Sequence, residues 1–510
     1  CIENEKIVLR GCVSMELLNQ KQMYQADKMT IETLGIPGET LMENAGQAIV
    51  SEIVKNWGIS TQIVVLAGTG NNGGDGIVIA RRLLNLGYQV QLWLIPPEEK
   101  VRDVAKVHLE LYHRHQYPVF HYGEELYPAI QQADLIVDAL LGIGMSGELR
   151  PPYDRIVQEV NQSKAKVVSV DIPSGVNAEQ ATVSQAVRAD ITYTVQYPKQ
   201  SAFLYPAASY YGMLQVVDIG IPPQTTDSLE YRKYTWGEKE YQSTKVERSP
   251  NSHKGSNGKG LIIGGSSYMI GAPVLAAQAC IASGIGLLSC AFPNHILPIA
   301  AQKATEATFL PCREQDGNLV QVEIPGSIQV VAIGMGLGRT EQTCQLVKNV
   351  LAQDKPTIID ADALFYLNEM WGIVDNRSSV TVVTPHMGEM AHLCGVTIEE
   401  IQENRFMVSR KLAMEHGIYV VLKGPYTIVA TPEGNQFVNT SGNAGLAKGG
   451  SGDVLSGMIA GLLPRYQNPQ EAISNAVYLH GLAADKLVEK GYSLDGISAE
   501  KLIEILPFLS

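Results

Sequence analysis

Four short stretches of this chain hold residue types that can do chemistry. The first is GTGNNGGDG, from Gly68 to Gly76, between the apolar run IVVLA and the helix-like run IVIARRLLNLG. The second is Asp138, followed by ALLGIGMSGELR. The third is Asp171-Ile-Pro-Ser174-Gly175. The fourth is GGSGD, ending at Asp453 and opening another apolar run. A glycine-rich turn that feeds a helix turns backbone N–H groups and the positive end of the helix dipole toward an anion. Gly68, Gly70 and Gly73 fit G-x-G-x-x-G, but binding nicotinamide as a cofactor also needs an acidic residue ending the next strand. That strand, YQVQLWLIPP, ends apolar, so the standard cofactor mode is disfavoured. A tight strand-to-helix turn explains Gly and Asn, but it explains two Asn and an Asp together less well. Asp138, Asp171 and Ser174 beside Asn72 offer oxygen ligands for an alkali or alkaline-earth ion, or a general base; capping of the following helices is the plainer role.

In the second half, the Gly450-Ser451-Gly452 amides point at an anion and Asp453 lies beside it, placed to accept a hydroxyl proton during phosphoryl transfer. No G-x-x-x-x-G-K-[ST] occurs, which excludes a P-loop. Gly334-Met-Gly336-Leu-Gly338, Thr384-Pro-His386-Met-Gly-Glu389 and Lys423-Gly424 also end strand-like runs. Each alone is a turn, and His386 alone reads as a helix cap; together they form a mouth at strand carboxyl ends.

These residues need a scaffold. Apolar runs of strand length alternate with runs of helical periodicity, first from IVVLAG to MLQVVDIGIP and again from KGLIIGGSS to YTIVAT, with helical text on either side. This rhythm predicts parallel sheets with helices on both faces. The segment around 222–250 is polar, charged and poor in aliphatic runs. The expected organisation is two α/β domains in tandem, 1–225 and 245–510, joined by a linker at 226–244.

The 510 residues are 45% hydrophobic and 18% charged, with a formal net charge of −13. That balance argues against nucleic acid and anionic membrane as partners. The seven cysteines are scattered and never spaced C-x-x-C, which points to free thiols and a reducing cytoplasm rather than a disulfide framework or zinc. The start, CIENEKIVLRGCVSMELL, lacks the pattern of a secretory signal.

NNGGDG, VDALLGIG, DIPSG and YPK in combination resemble the NAD(P)HX epimerase domain, also called the YjeF N-terminal domain, over about residues 14–222. The resemblance implies a Rossmann-like three-layer α/β/α fold and a dinucleotide substrate whose nicotinamide ring is hydrated. It implies phosphate binding by Asn71, Asn72, Gly73, Gly74 and Asp75, and potassium binding by Asn72, Asp138 and Ser174. Substrate contacts are implied for Asn44, Gly142, Ile143, Gly144, Met145, Ser146, Gly147, Glu148, Tyr153 and Asp171, with Asp171 as the acid/base group. Ile143 stands where the family often has Thr.

Residues 245–505 resemble the ADP/ATP-dependent NAD(P)HX dehydratase domain of the ribokinase-like fold. Here the resemblance implies that Ala272, Gly336, His386 and Asp453 contact the hydrated NADH or NADPH. Lys423, Gly424, Pro425, Tyr426, Thr427, Gly450, Ser451 and Gly452 hold ADP or ATP, magnesium accompanies the nucleotide, and Asp453 is the base. Three positions depart from the family pattern: Lys448 for Thr or Ser, Met387 for Pro, and Phe365 for Asn. A homo-oligomer is expected. The rival reading is a vitamin-precursor kinase fused to a non-catalytic dinucleotide-binding module.

Overall fold

The computed structural model describes residues 15–509. The readings placed on residues 1–14, Cys1 and Cys12 among them, lie outside the described residues. The chain divides into two compact units, 1–230 and 231–510.

The first unit holds seven strands: β1 (Gln62–Ala67), β2 (Gln89–Leu94), β3 (Val119–His121), β4 (Leu135–Ala139), β5 (Lys166–Val170), β6 (Ile191–Val195) and β7 (Met213–Val217). All pair parallel, in the order β3-β2-β1-β4-β5-β6-β7. The chain runs outward from β1 to β3, then returns to β4 on the other side of β1. Ligands in such sheets bind beyond the carboxyl ends at the point where the order reverses. Alternate β1 residues feed two cores: Ile63, Val65 and Ala67 on one face, Val64 and Leu66 on the other. A strand buried on both faces reads as one apolar run, which is why IVVLA shows no alternation.

The second unit contains β8 (Lys233–Trp236), β9 (Lys259–Ile263), β10 (Leu287–Ala291), β11 (Thr308–Phe309), β12 (Cys312–Gln315), β13 (Asn318–Val322), β14 (Val330–Ile333), β15 (Thr357–Ile359), β16 (Thr381–Val383), β17 (Tyr419–Leu422), β18 (Ile428–Ala430) and β19 (Gln436–Asn439). Ten of them form one sheet, β11-β10-β9-β14-β15-β16-β17-β18-β19-β8, while β12 and β13 make a separate hairpin. The main sheet is parallel from β11 to β17, antiparallel through β18 and β19, and parallel again at β8. Two α/β units with sheets covered on both faces are thus present.

The expected linker at 226–244 is not an open connection. Lys233–Trp236 is the edge strand β8, and Glu238–Thr244 is a helix. Trp236 is buried, and its indole N–H donates to Asn475 Oδ1 at 2.9 Å. Four residues are too few to show a period, and the pairing partner, β19, lies far downstream. No helix among the described residues is long and apolar enough to cross a membrane.

Candidate functional sites

In the first unit the carboxyl ends of β1 and β4 open into a cavity of about 420 Å³. Asn71, Asn72, Asp75, the stretch 142–145, Tyr153 and Asp171 all line it. The helix Asn71–Asn85 begins at the wall of this cavity, and no side chain caps its first turn. That leaves N–H groups and the dipole for an anion. The other expected contacts are placed differently. A Cβ on Gly73 would stand 2.1 Å from the Gly68 carbonyl oxygen, and one on Gly74 2.5 Å from Met42 Sδ, so these glycines permit close packing rather than line the cavity. Asn44 Nδ2 donates to the Ile219 carbonyl at 2.9 Å. Ser146, Gly147 and Glu148 lie outside the lining.

Asp171 follows β5 with φ +65, in the left-handed region where a non-glycine residue carries strain of about 1–3 kcal/mol. Its Oδ1 accepts from Val195 N–H at 2.9 Å and from Lys199 Nζ in a short ion pair. Lys199 is 1% exposed, and its amine also donates to the Tyr197 carbonyl at 2.9 Å. Two further carboxyls share this neighbourhood. Burial pushes Asp27 up to about 6, with Lys199 opposing and Asp171 adding to the rise. Asp75 is held well above the carboxylate range by burial, with the charges of Asp171 and Asp27 raising it further. Asp27 was not legible in the sequence: its helix, Gln20–Lys28, reads only as amphipathic. Lys199 closes the YPK motif, so a signal for it was present without a role.

Asp138 and Ser174 are buried and lie outside the lining. The register that sets Asp138 against Leu66 and Ser169 fixes its partners. Asp138 Oδ2 accepts from Ser174 N–H at 2.9 Å and Ser169 Oγ at 2.8 Å; Oδ1 accepts from Ser174 Oγ and Leu140 N–H. Burial raises this carboxyl even against four donors. Asn72 Nδ2 donates to the Leu141 carbonyl at 2.9 Å, while the buried Asn72 Oδ1 has no hydrogen-bond partner.

The second site lies at the carboxyl ends of β15, β16 and β17. The helix Ser451–Leu462 starts from Gly450, whose φ of +91 only glycine adopts readily, and no side chain caps it. A Cβ on Gly457 would come within 2.1 Å of the Ala276 carbonyl oxygen, so close contact with the helix Gly271–Ala282 fixes where Asp453 sits. Lys423 Nζ pairs with Asp360 Oδ1 at 2.9 Å and lies 3.8 Å from Glu389 Oε2. A Cβ on Gly452 would meet that same amine at 3.3 Å, which places Lys423 against the helix start. Asp360, 1% exposed, also accepts from Ser456 Oγ at 2.7 Å. Burial works against its charge, but Lys423 and Ser456 win and hold Asp360 below the usual carboxylate range. Asp453 goes the other way. Burial, then the charges of Asp360, Glu389 and Asp362, raise it to about 7 against the pull of Lys423.

Beside this group lies a second cavity, of about 330 Å³, lined in part by His386, Glu389, Arg339 and Phe365. His386 is also the cap of helix Met387–Cys394: its Nδ1 accepts from Gly388 N–H at 3.0 Å and Glu389 N–H at 3.2 Å. The capping role and the cavity-lining role therefore coexist. Ala272 and Gly336 lie against each other, a Cβ on Gly336 falling 3.3 Å from that of Ala272. Tyr426 has φ +52, Thr427 Oγ1 donates to the Gly424 carbonyl at 3.1 Å, and the Pro425 carbonyl accepts from buried Arg405. Ser451 Oγ lies 3.2 Å from Nε2 of the buried His480, whose pKa burial lowers to about 4. Lys448 Nζ donates to the Asp495 carbonyl at 3.0 Å. Asp360 and Glu389 were missed as site residues, although Asp360 directly follows β15 and Glu389 belongs to the Thr384–Glu389 stretch singled out above.

Residues 260–508 match the family described as NAD(P)H-hydrate dehydratase, and residues 38–201 match the YjeF-related protein N-terminus. The chain is 35% identical over 506 residues to a bifunctional NAD(P)H-hydrate repair enzyme of Thermofilum pendens, covering 97% of this chain and 96% of that one. It is 34% identical over 513 residues to the namesake enzyme of Moorella thermoacetica, with coverage of 97% and 96%. Among solved structures it is similar to the ADP/ATP-dependent NAD(P)H-hydrate dehydratase of Bacillus subtilis, co-crystallised with ATP and Mg2+. There the identity is 35%, the coverage 54% of this chain and 96% of that chain, and the TM-score 0.48. With both family matches in tandem and full-length relatives above 30% identity, the chain belongs to the bifunctional NAD(P)H-hydrate repair enzymes, an epimerase unit followed by a dehydratase unit.

Proposed function

We propose that the two sites described above are the two active sites of this repair enzyme. The first interconverts the epimers of hydrated NADH or NADPH. The second phosphorylates the ring hydroxyl of one epimer at the expense of ADP or ATP and expels phosphate to restore the reduced nicotinamide. The observation that carries this reading is Asp453: a mostly buried carboxyl raised to about 7, next to an uncapped helix start and the amine of Lys423. A general base works best with a pKa near the working pH.

In the second site the hydroxyl oxygen attacks the terminal phosphorus of the nucleotide, the bridging P–O bond breaks to release AMP or ADP, and Asp453 takes the hydroxyl proton. The Gly450–Gly452 amides and Lys423 face the phosphoryl oxygens. Phosphate then leaves with the carbon–oxygen bonding pair, the ring nitrogen supplies electrons, and loss of a proton from the neighbouring carbon restores the double bond. Magnesium on the nucleotide would neutralise charge on the transferring group.

In the first site, epimerisation opens a bond at the hydroxyl-bearing carbon and closes it on the other face. The departing atom must receive a proton and the returning one must lose it. Asp171 is assigned that exchange, with Lys199 positioning its carboxylate and the first-turn amides of Asn71–Asn85 holding phosphate. Support for potassium comes from the donors there: Asn72 Oδ1 is a buried oxygen without a partner, and the Asn72 amide and Ser174 Oγ both reach the Leu141 carbonyl. Such an ion would supply fixed positive charge under the phosphate loop. A cytoplasmic location goes with these substrates.

The test is spectroscopic. Both epimers of hydrated NADH are mixed with the chain, magnesium and potassium, then with ADP or ATP, and the reduced-nicotinamide absorbance is followed. Recovery of both epimers is expected. Recovery of one alone would remove the epimerase assignment, and accumulation of a stable phosphorylated product would mark a kinase.

A further inference from the structure

The second cavity contains a device that the phosphoryl-transfer chemistry does not use. Arg339 follows the Gly334–Gly338 turn, and its side chain remains 53% exposed. Two neighbours nevertheless fix its guanidinium. Nε donates to Asp362 Oδ1 at 2.8 Å, and Asp362 is itself anchored by Gly338 N–H at 2.9 Å. The guanidinium carbon lies 4.7 Å from the centroid of the Phe365 ring. Phe365 in turn stacks on His392, with centroids 4.7 Å apart and planes 4° from parallel, and His392 Nε2 lies 3.1 Å from the Phe365 carbonyl. The result is an ordered stack of cation and rings on one wall of the cavity.

Among the described residues no acceptor engages Nη1 or Nη2 of Arg339. An arginine in this state has one edge tied down and a flat face supported, while its remaining donors face open volume. With these contacts in place, much of the rotamer freedom that an arginine usually loses on binding is already gone. A planar fork of this kind matches a phosphate or carboxylate bidentately. His386 also lines the cavity, and its Nδ1 is occupied by backbone N–H donors, so in the neutral ring the proton sits on Nε2. Glu389 lies 3.4 Å from that nitrogen, so among the lining residues Arg339 is the cation with open donors.

We propose that Arg339, supported by Asp362 and Phe365, binds a phosphate group of the hydrated dinucleotide in the dehydratase unit. This rests on the function proposed above. Two phosphates have the required chemistry: the pyrophosphate common to both hydrates, and the 2′-phosphate that hydrated NADPH alone carries. The Arg–Phe contact is a property of this chain's own sequence, since Phe365 stands where the family pattern has Asn.

The experiment is steady-state dehydration of hydrated NADH and hydrated NADPH by the full chain, its Arg339→Gln and Arg339→Lys variants, and Phe365→Leu. Loss of one charge-assisted bidentate contact is expected to raise KM for the dinucleotide about tenfold or more in Arg339→Gln. The effect of kcat should stay within about twofold, and KM for the adenine nucleotide should not move. Arg339→Lys keeps the charge without the fork and should fall between; Phe365→Leu should give a smaller rise of the same kind. A rise confined to hydrated NADPH assigns the 2′-phosphate, and an equal rise for both assigns the pyrophosphate. Unchanged dinucleotide KM in Arg339→Gln, or a rise in nucleotide KM instead, overturns the proposal while the function stands. A wild-type chain inactive on both hydrates overturns the function and the proposal together.

Discussion

The two sites are built from the same parts and wired differently. Each has a lysine paired with an aspartate beyond a strand end, the buried Lys199 with Asp171 and the half-buried Lys423 with Asp360. In the first unit the lysine holds the assigned acid/base group itself, and the raised carboxyls are its neighbours, Asp27 and Asp75. In the second unit the lysine holds a bystander. Asp360 stays charged, and its charge helps lift Asp453 to about 7. In the second unit a cation keeps one buried carboxylate ionised, and that charge makes a neighbouring carboxyl proton-hungry. The second arrangement suits one-way removal of a hydroxyl proton. The first suits a proton that moves both ways among several carboxyls.

The sharpest way to break this comparison is Asp453→Asn. Loss of the base should lower dehydration by about 10²–10⁴-fold while epimer exchange, followed by separating the two epimers, continues. Equal loss of both activities would mean that the chain had simply unfolded. Asp171→Ala should give the mirror image, with exchange down by about 10²-fold or more and dehydration of the accepted epimer intact. Next in size are the two ion pairs. Lys199→Ala and Lys423→Ala each strand a buried carboxylate, and each should cost about 3–5 kcal/mol in urea titration of its own unit. A cost below about 1 kcal/mol for either would show that the carboxylate there is protonated or solvated.

Titration separates the sites further. Asp453 must be unprotonated to act, so dehydration kcat/KM should fall as pH drops through about 7, about tenfold between the plateau and pH 6. An unchanged rate down to pH 6 would place the proton elsewhere. The smallest effect concerns the orphaned oxygen. Replacing sodium chloride with potassium chloride should raise the melting temperature of the first unit by about 2–4 °C, the shift that goes with about 1 kcal/mol of binding. The shift should vanish in Asn72→Ala.

The strand–helix rhythm, the two glycine-rich helix starts and the aspartates ending β4 and β5 are all readable in the chain, because each depends on neighbours within about ten residues. Apolar periodicity sets which face of an element is buried, and glycine and asparagine set where the backbone can turn. What was not readable depends on distant pairing. Lys233–Trp236 became a strand because β19 offered an edge, Asp27 reached the first cavity by way of the packing of its helix, and the close packing at Gly73 and Gly74 comes from Gly68 and Met42. The proton affinities of Asp75, Asp360 and Asp453 follow from burial and from charges contributed by separate strands and helices. The sequence by itself determined which chemical groups this protein owns and the kind of elements that carry them. Only the tertiary structure decided which carboxylates hold a charge and which hold a proton, because that balance depends on desolvation and on distances between residues far apart in the chain.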